Sequence, residues 1–179
     1  MVEKLNRIKA IKQISDIGLL VFTPVEFAGI FGVPEKTASV FISRGLKNGM
    51  FIKLRNGFYS LSEPYVHPFF IANKLYQPSY ISLESALSYY GLIPETVYDI
   101  TSVTTKSTRE FASPAGCFSY RTIKKDAFRG YGPAKIGGVM VFLAEPEKAV
   151  VDYLHFVDLK KQLLNERLDV KKLNKKKLF

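Results

Sequence analysis

The 179-residue sequence predicts an α+β chain in two parts. Three observations predict it. The first 48 residues read as three short helical segments parted by turn signals, residues 50–61 read as a β-hairpin, and the rest mixes strand formers with helical stretches. The length permits one large domain or two small ones. A composition 47% hydrophobic and 23% charged is that of a globular chain, and 14 Phe with 10 Tyr can supply two modest cores.

The first helix is expected over Val2–Ile17, where Leu5, Ile8, Ile11 and Ile14 recur at helical spacing and Lys4, Lys9 and Lys12 fall off the stripe. Gly18 ends it. Thr23-Pro24-Val25-Glu26 then carries three start signals together: a capping Thr, a Pro for the first helical position, and a Glu that completes a capping box. The second helix, Pro24–Phe31, is closed by Gly32, and Pro34 opens a third that runs to about Asn48. Met50–Arg55 and Phe58–Leu61 are strands joined by Asn56-Gly57, the strongest two-residue hairpin signal. Two helices around a tight Gly-containing turn, followed by a basic hairpin, make a winged helix-turn-helix over residues 1–62.

Residues 63–77 are expected to be a connector, with a helix over His67–Leu75. From 78 to 179 the pattern is a small mixed α/β domain with a basic C-terminal segment. Tyr80–Ser82 reads as a short strand, Leu83–Tyr90 as a helix capped by Ser82 and closed by Gly91, and Pro94–Thr105 as a strand-forming stretch. Phe118–Ile123 and Val139–Leu143 are further strands, with Gly130, Gly132, Gly137 and Gly138 placed in the turns between them. Glu145-Pro146-Glu147 starts a helix that reaches about Val157. A last helix over Leu159–Leu173, with Leu163, Leu164, Leu168 and Leu173, would be either a docking face or a core helix.

Charge is unevenly spread. Residues 1–62 carry nine Lys/Arg against four acids, residues 63–159 nine against ten, and residues 160–179 eight against two. Two basic ends around a near-neutral middle point to a polyanion met by part of the chain, although a solvated Lys-rich tail accounts for the last segment equally well. The N-terminal excess is better placed. On the third helix Ala38, Phe41, Ile42 and Gly45 share one side, while Lys36, Val40, Ser43 and Lys47 share the other, flanked by Ser39 and Arg44. From Lys36 to Arg55 there are five Lys/Arg and no acid. This stripe, with Lys53, Arg55 and Asn56 on the hairpin, suits a helix in the major groove of double-stranded operator DNA and a wing on the flanking backbone. Ser and Arg side chains meet base edges or phosphates, and Val40 suits a thymine methyl. The competing reading is a winged domain used as a protein-interaction adaptor.

Catalytic chemistry finds little support, and an enzyme built on the middle domain ranks last. His67 and His155 have no second His or Cys at ligand spacing, so no metal site is expected. No glycine-rich phosphate loop occurs, and no cofactor is expected. Cys117 is expected to be a buried apolar residue, and Lys148–Asp152 a modest i,i+4 pair on a helix surface. A single Cys, no signal-peptide pattern and no long apolar run together imply a cytoplasmic protein without a membrane partner.

Two strings carry a resemblance. Pro78-Ser79-Tyr80-Ile81-Ser82-Leu83-Glu84-Ser85-Ala86-Leu87-Ser88-Tyr89-Tyr90-Gly91-Leu92-Ile93-Pro94-Glu95 and Ala144-Glu145-Pro146-Glu147-Lys148-Ala149-Val150-Val151-Asp152 resemble the signature of AbiEi-family antitoxins. Thr101–Thr105, Gly116–Tyr120, the Gly130-Tyr131 turn and the wing Arg55-Asn56-Gly57-Phe58-Tyr59 are similar to that family too. The resemblance implies a transcriptional regulator of a type IV toxin–antitoxin system: an N-terminal domain that represses at an operator, and a C-terminal antitoxin domain that counters a nucleotidyltransferase-like toxin without a stable complex. Within that domain Lys148 and Asp152 are the polar pair expected on the antitoxin surface. A solitary winged-helix regulator with no toxin partner carries the same domains.

Overall fold

The computed structural model describes residues 6–63, 66–171 and 173. They form a mixed α+β fold of two compact units, the first within Met1–Val66 together with Ala112–Ala115, the second within His67–Phe111 and Gly116–Phe179. A three-stranded sheet lies within the first, and a six-stranded sheet lies within the second apart from Ala112 and Ser113 at the end of one strand.

The first unit runs α1 (Arg7–Asp16), β1 (Val21–Phe22), α2 (Pro24–Phe31), α3 (Glu35–Lys47), β2 (Phe51–Arg55) and β3 (Phe58–Leu61). Residues 2–5 of the expected first helix lie outside the described residues, and Asn6 caps α1 through a bond from the Ile8 N–H. At α2 the capping box forms as the sequence predicts: Thr23 Oγ1 accepts from the Glu26 N–H at 3.2 Å, and the Thr23 N–H donates to Glu26 Oε2 at 2.7 Å. Gly32 closes α2 in the left-handed region at φ +60°. The three strands lie in the order β1-β3-β2, all antiparallel. The two residues of β1 are too few to show alternation in the sequence, and their pairing with β3 is what completes the sheet. Phe22, Phe27, Phe41 and Phe51 meet with ring centroids 5.3 to 6.2 Å apart, joining β1, α2, α3 and β2 in one aromatic core.

The second unit adds α4 (Pro68–Leu75), β4 (Ser79–Ile81), α5 (Leu83–Tyr89), β5 (Ile100–Thr104), β6 (Arg109–Ser113), β7 (Gly116–Thr122), β8 (Tyr131–Ile136), β9 (Val139–Ala144) and α6 (Pro146–Asp158). Its sheet order is β6-β7-β5-β4-β9-β8, with β4–β9 and β5–β7 parallel and β4–β5 and β8–β9 antiparallel. Tyr80 pairs with Val103 and Tyr120 with Ser102, so these two tyrosines point to opposite faces. Tyr120 donates to the Ala72 carbonyl of α4 at 2.7 Å, and Tyr80 donates to Asp152 of α6 at 2.9 Å. The two contacts place α4 on one face and α6, packed with α5, on the other. Buried Asn73 on α4 takes up the backbone groups of Phe142 in β9. Asn73 Oδ1 accepts from the Phe142 N–H at 2.6 Å and its Nδ2 donates to the Phe142 carbonyl at 3.3 Å.

Four expectations are corrected. Gly132 is not in a turn: Tyr131–Ile136 is an edge strand, and β6 also forms where the sequence pattern predicts no strand. Ser82 makes no side-chain cap bond on α5, because its hydroxyl is drawn to Asp152. Cys117 is exposed, since β5–β7 pairing begins one residue later at Ile100–Phe118. No helix spans 159–171. The segment is held irregular by its polar side chains, Gln162 donating to Glu84 and Asn165 donating to Glu95. Leu163 and Leu164 therefore stay exposed while Leu173 is buried.

Candidate nucleic-acid interface

The outward face of α3 depends on its inward one. Ala38, Ile42 and Gly45 are buried against the aromatic core. Gly45 is required sterically: a Cβ there would overlap the Phe51 ring, lying 2.7 Å from Cε2, and would stand 3.1 Å from Cε of Met50. The absent side chain lets β2 close against α3, and so fixes where the hairpin sits relative to the helix.

With that face inward, Lys36, Ser39, Val40, Ser43, Arg44 and Lys47 are all exposed, as are Lys53 and Asn56 on the hairpin. Val40 is 45% exposed on an otherwise polar stripe. Among the described residues no carboxylate pairs with Lys36, Arg44, Lys47 or Lys53. An unpaired cation on a rigid helix is free to displace counterions from a polyanion without first breaking a salt bridge. Arg44 and Lys47 also lie in the last turn of α3, where positive charge complements the helix dipole.

Arg55 differs from the others. It is half-buried, its guanidinium carbon stands 3.9 Å from the centre of the Phe58 ring, and its Nη1 donates to the Asn56 carbonyl at 3.3 Å. The register of β2 on β3 shifts between Lys53 and Arg55, which turns Arg55 onto that ring. Arg55 thus braces the two-residue hairpin tip, and Lys53 and Asn56 are left as its outward groups. Thr37, exposed and seven residues before Arg44 on the same flank of α3, belongs to this surface although sequence reasoning passes over it. Its signal is present in the same helical spacing.

The second expected site has a different character. Asp152 is 2% exposed, not on a surface. Its Oδ2 accepts from the Tyr80 hydroxyl at 2.9 Å and the Ser82 hydroxyl at 2.8 Å, and its Oδ1 from Lys148 Nζ at 2.6 Å. Lys148 donates onward to the Ala127 carbonyl at 2.8 Å. The Lys148–Asp152 contact is therefore not the solvent-exposed pair its spacing suggests but the closed centre of a buried network. Burial, reinforced by the Asp152 charge, holds the Tyr80 phenol far above its ordinary pKa, so it is a fixed donor.

Elsewhere in the second unit an open groove of about 660 Å³ runs between Glu84, Ile93, Val97, Tyr153 and the 162–167 segment. Two of its acids are engaged, Glu84 by Gln162 and Glu95 by Asn165 and Arg167. Burial raises the Glu84 pKa, while the Asn165 bond lowers that of Glu95. Among the described residues no group of three or more His, Cys, Asp or Glu converges as a metal centre requires, and no helix is long and apolar enough to cross a membrane. No known protein-family model matches the chain, and no curated protein sequence matches it.

Proposed function

We propose that this protein is a sequence-specific DNA-binding repressor of a toxin–antitoxin operon, with a C-terminal domain of the AbiEi kind that antagonises a nucleotidyltransferase-like toxin. The observation that carries the DNA-binding half is the outward face of α3, where cations, serines and one exposed Val form a stripe without a carboxylate. The element order supports the same reading. A short helix, a tight turn and a longer helix, followed by an antiparallel hairpin that pairs back onto β1, is the arrangement of a winged helix-turn-helix. In such a domain α3 enters the major groove and the β2–β3 wing lies along the flanking backbone.

The antitoxin half rests on the two strings that resemble AbiEi antitoxins. They run through β4–α5 and through the end of β9 into α6, and they meet where Tyr80 and Ser82 of the first bond Asp152 of the second and where Tyr90 of the first donates to the Ala144 carbonyl of the second. Residues far apart in sequence that share one buried network support reading both strings as one domain signature.

The test of the DNA-binding half is fluorescence anisotropy on duplex DNA, with site selection from a random pool. Lys47→Ala should make the log–log salt dependence shallower by about 0.9. Arg44→Ala should relax base preference by about 1–3 kcal/mol at one position. Absence of wild-type binding at low salt would favour the protein-adaptor reading. Co-expression with a nucleotidyltransferase-like toxin encoded beside the gene tests the antitoxin half: rescue of growth supports it, and continued toxicity with the full chain well expressed refutes it.

A further inference from the structure

We infer that the turn Lys124–Arg129 of the second unit is a further contact for the sugar-phosphate backbone of DNA. The inference rests on the DNA-binding reading above and concerns the second unit by itself. Lys124, Lys125 and Arg129 lie within six residues, all exposed, with Asp126 the single acid among them. None of the three cations has an ion-pair or hydrogen-bond partner for its side chain among the described residues. Residues 63–159 as a whole sum to −1, yet this short stretch sums to +2. A polyanion responds to charge within about a Debye length, roughly 10 Å at 0.1 M salt, and not to an average over a domain.

The second observation is how firmly the turn is held. Residues 125–127 form one turn of 3-10 helix, and the Ala127, Phe128 and Arg129 N–H groups all bond back to carbonyls within the turn at 2.9–3.0 Å. The half-buried Phe128 ring is wedged against Tyr80 and Tyr131, each with its centroid 5.0 Å away. From below, Lys148 Nζ bonds the Ala127 carbonyl while itself anchored on Asp152. At the exit, the Gly130 carbonyl accepts from the Glu145 N–H at 2.9 Å. A Cβ on Gly130 would lie 3.2 Å from the Lys148 stem, so glycine there lets the lysine pass beneath the turn. Three unpaired cations are thus carried on a backbone clamped to the core, and binding a phosphate would order only their side chains. This gives the Lys148–Asp152 network a purpose beyond stability: it holds the turn in shape. A duplex backbone is the polyanion that the DNA-binding reading supplies, and contact through its phosphates asks for cations and not for a pocket.

The test uses the full chain and a duplex of about 30 base pairs, with affinity measured from about 50 to 300 mM salt. The triple variant Lys124→Gln, Lys125→Gln, Arg129→Gln is compared with a charge-matched control, Lys74→Gln, Lys135→Gln, Lys161→Gln, whose lysines are also exposed. The turn variant should show a salt slope shallower by about 2–3, at roughly 0.9 for each phosphate no longer neutralised, while the control changes by less than about 1. Unaltered melting temperatures would show that both variants fold. Equal slopes for turn variant and control would overturn the inference and leave the winged unit's reading standing. Wild-type protein that fails to bind duplex at low salt would remove both.

Discussion

Asp152→Ala separates a buried network from a surface ion pair by roughly an order of magnitude in stability. The carboxylate accepts from three donors, two of them, Tyr80 and Ser82, on fully buried residues, while the Lys148 and Asp152 side chains are 13% and 3% exposed. Truncation leaves two buried hydroxyls without acceptors, each costing about 1–3 kcal/mol, and strips Lys148 of its counter-charge. Breaking a buried pair by removing one partner costs about 3–5 kcal/mol, and the terms overlap, so the expected loss is about 3–5 kcal/mol in total. An exposed i,i+4 pair would contribute only about 0.2–0.5 kcal/mol. Thermal unfolding followed by circular dichroism should then show the second unit melting more than about 10 °C lower, at about 4–8 °C per kcal/mol for a domain of this size. A loss below about 1 kcal/mol for Asp152→Ala would refute the reasoning and return the pair to the surface role that its spacing suggests.

Gly45→Ala sets helix propensity against sterics: alanine favours α3 by about 1 kcal/mol, but the overlap with the Phe51 ring in a packed core costs about 1–3 kcal/mol. Net destabilisation in chemical denaturation is expected, and a stabilised variant would show that β2 yields. His67 makes the second unit sensitive to acid: burial lowers its pKa below 6.5, and its Nδ1 accepts the Phe69 N–H at the start of α4. The unfolded chain therefore takes up the proton first, and stability falls as pH drops below 6.5, with no contribution above it. His67→Asn, which keeps a capping acceptor, should flatten the melting temperature across that window, and an unchanged profile would assign the acid sensitivity to other groups.

The first unit is readable because each of its boundaries is set locally. A capping box, a prolyl helix start and an Asn-Gly turn each act over a few neighbouring residues, and the sequence states them outright. The second unit resists where its elements answer to distant partners. Gly132 lies in β8 because β9 pairs with it, and Ser82 abandons its cap because Asp152, seventy residues away, competes for the hydroxyl. The leucine spacing after Leu159 looks helical, but Asn165 and Gln162 bind carboxylates on and after α5, and a helix there would give up those bonds. Local pattern fails wherever a side chain's best partner lies outside the window that defines the pattern.

The same distinction governs the candidate sites. The α3 face is legible because helical spacing sorts inward from outward residues without reference to anything else, and the structure leaves all six expected α3 residues exposed. Arg55 is legible as a basic wing residue but not as a brace, since its ring contact depends on an irregular register that composition cannot reveal. Lys148 and Asp152 stand out in the sequence as polar residues that need an explanation, yet their spacing points to the wrong one. An i,i+4 pair has the same spacing whether it faces water or a sheet, and only Tyr80 and Ser82 arriving on β4 and the turn after it decide between the two. A domain-wide net charge conceals the turn at 124–129 in the same way, because summing over residues 63–159 cancels cations that make no ion pair among the described residues. What matters to a partner is which charges the fold leaves unpaired and how rigidly it holds them. On both counts, among the described residues, α3 and this turn are basic surfaces where binding should be sought.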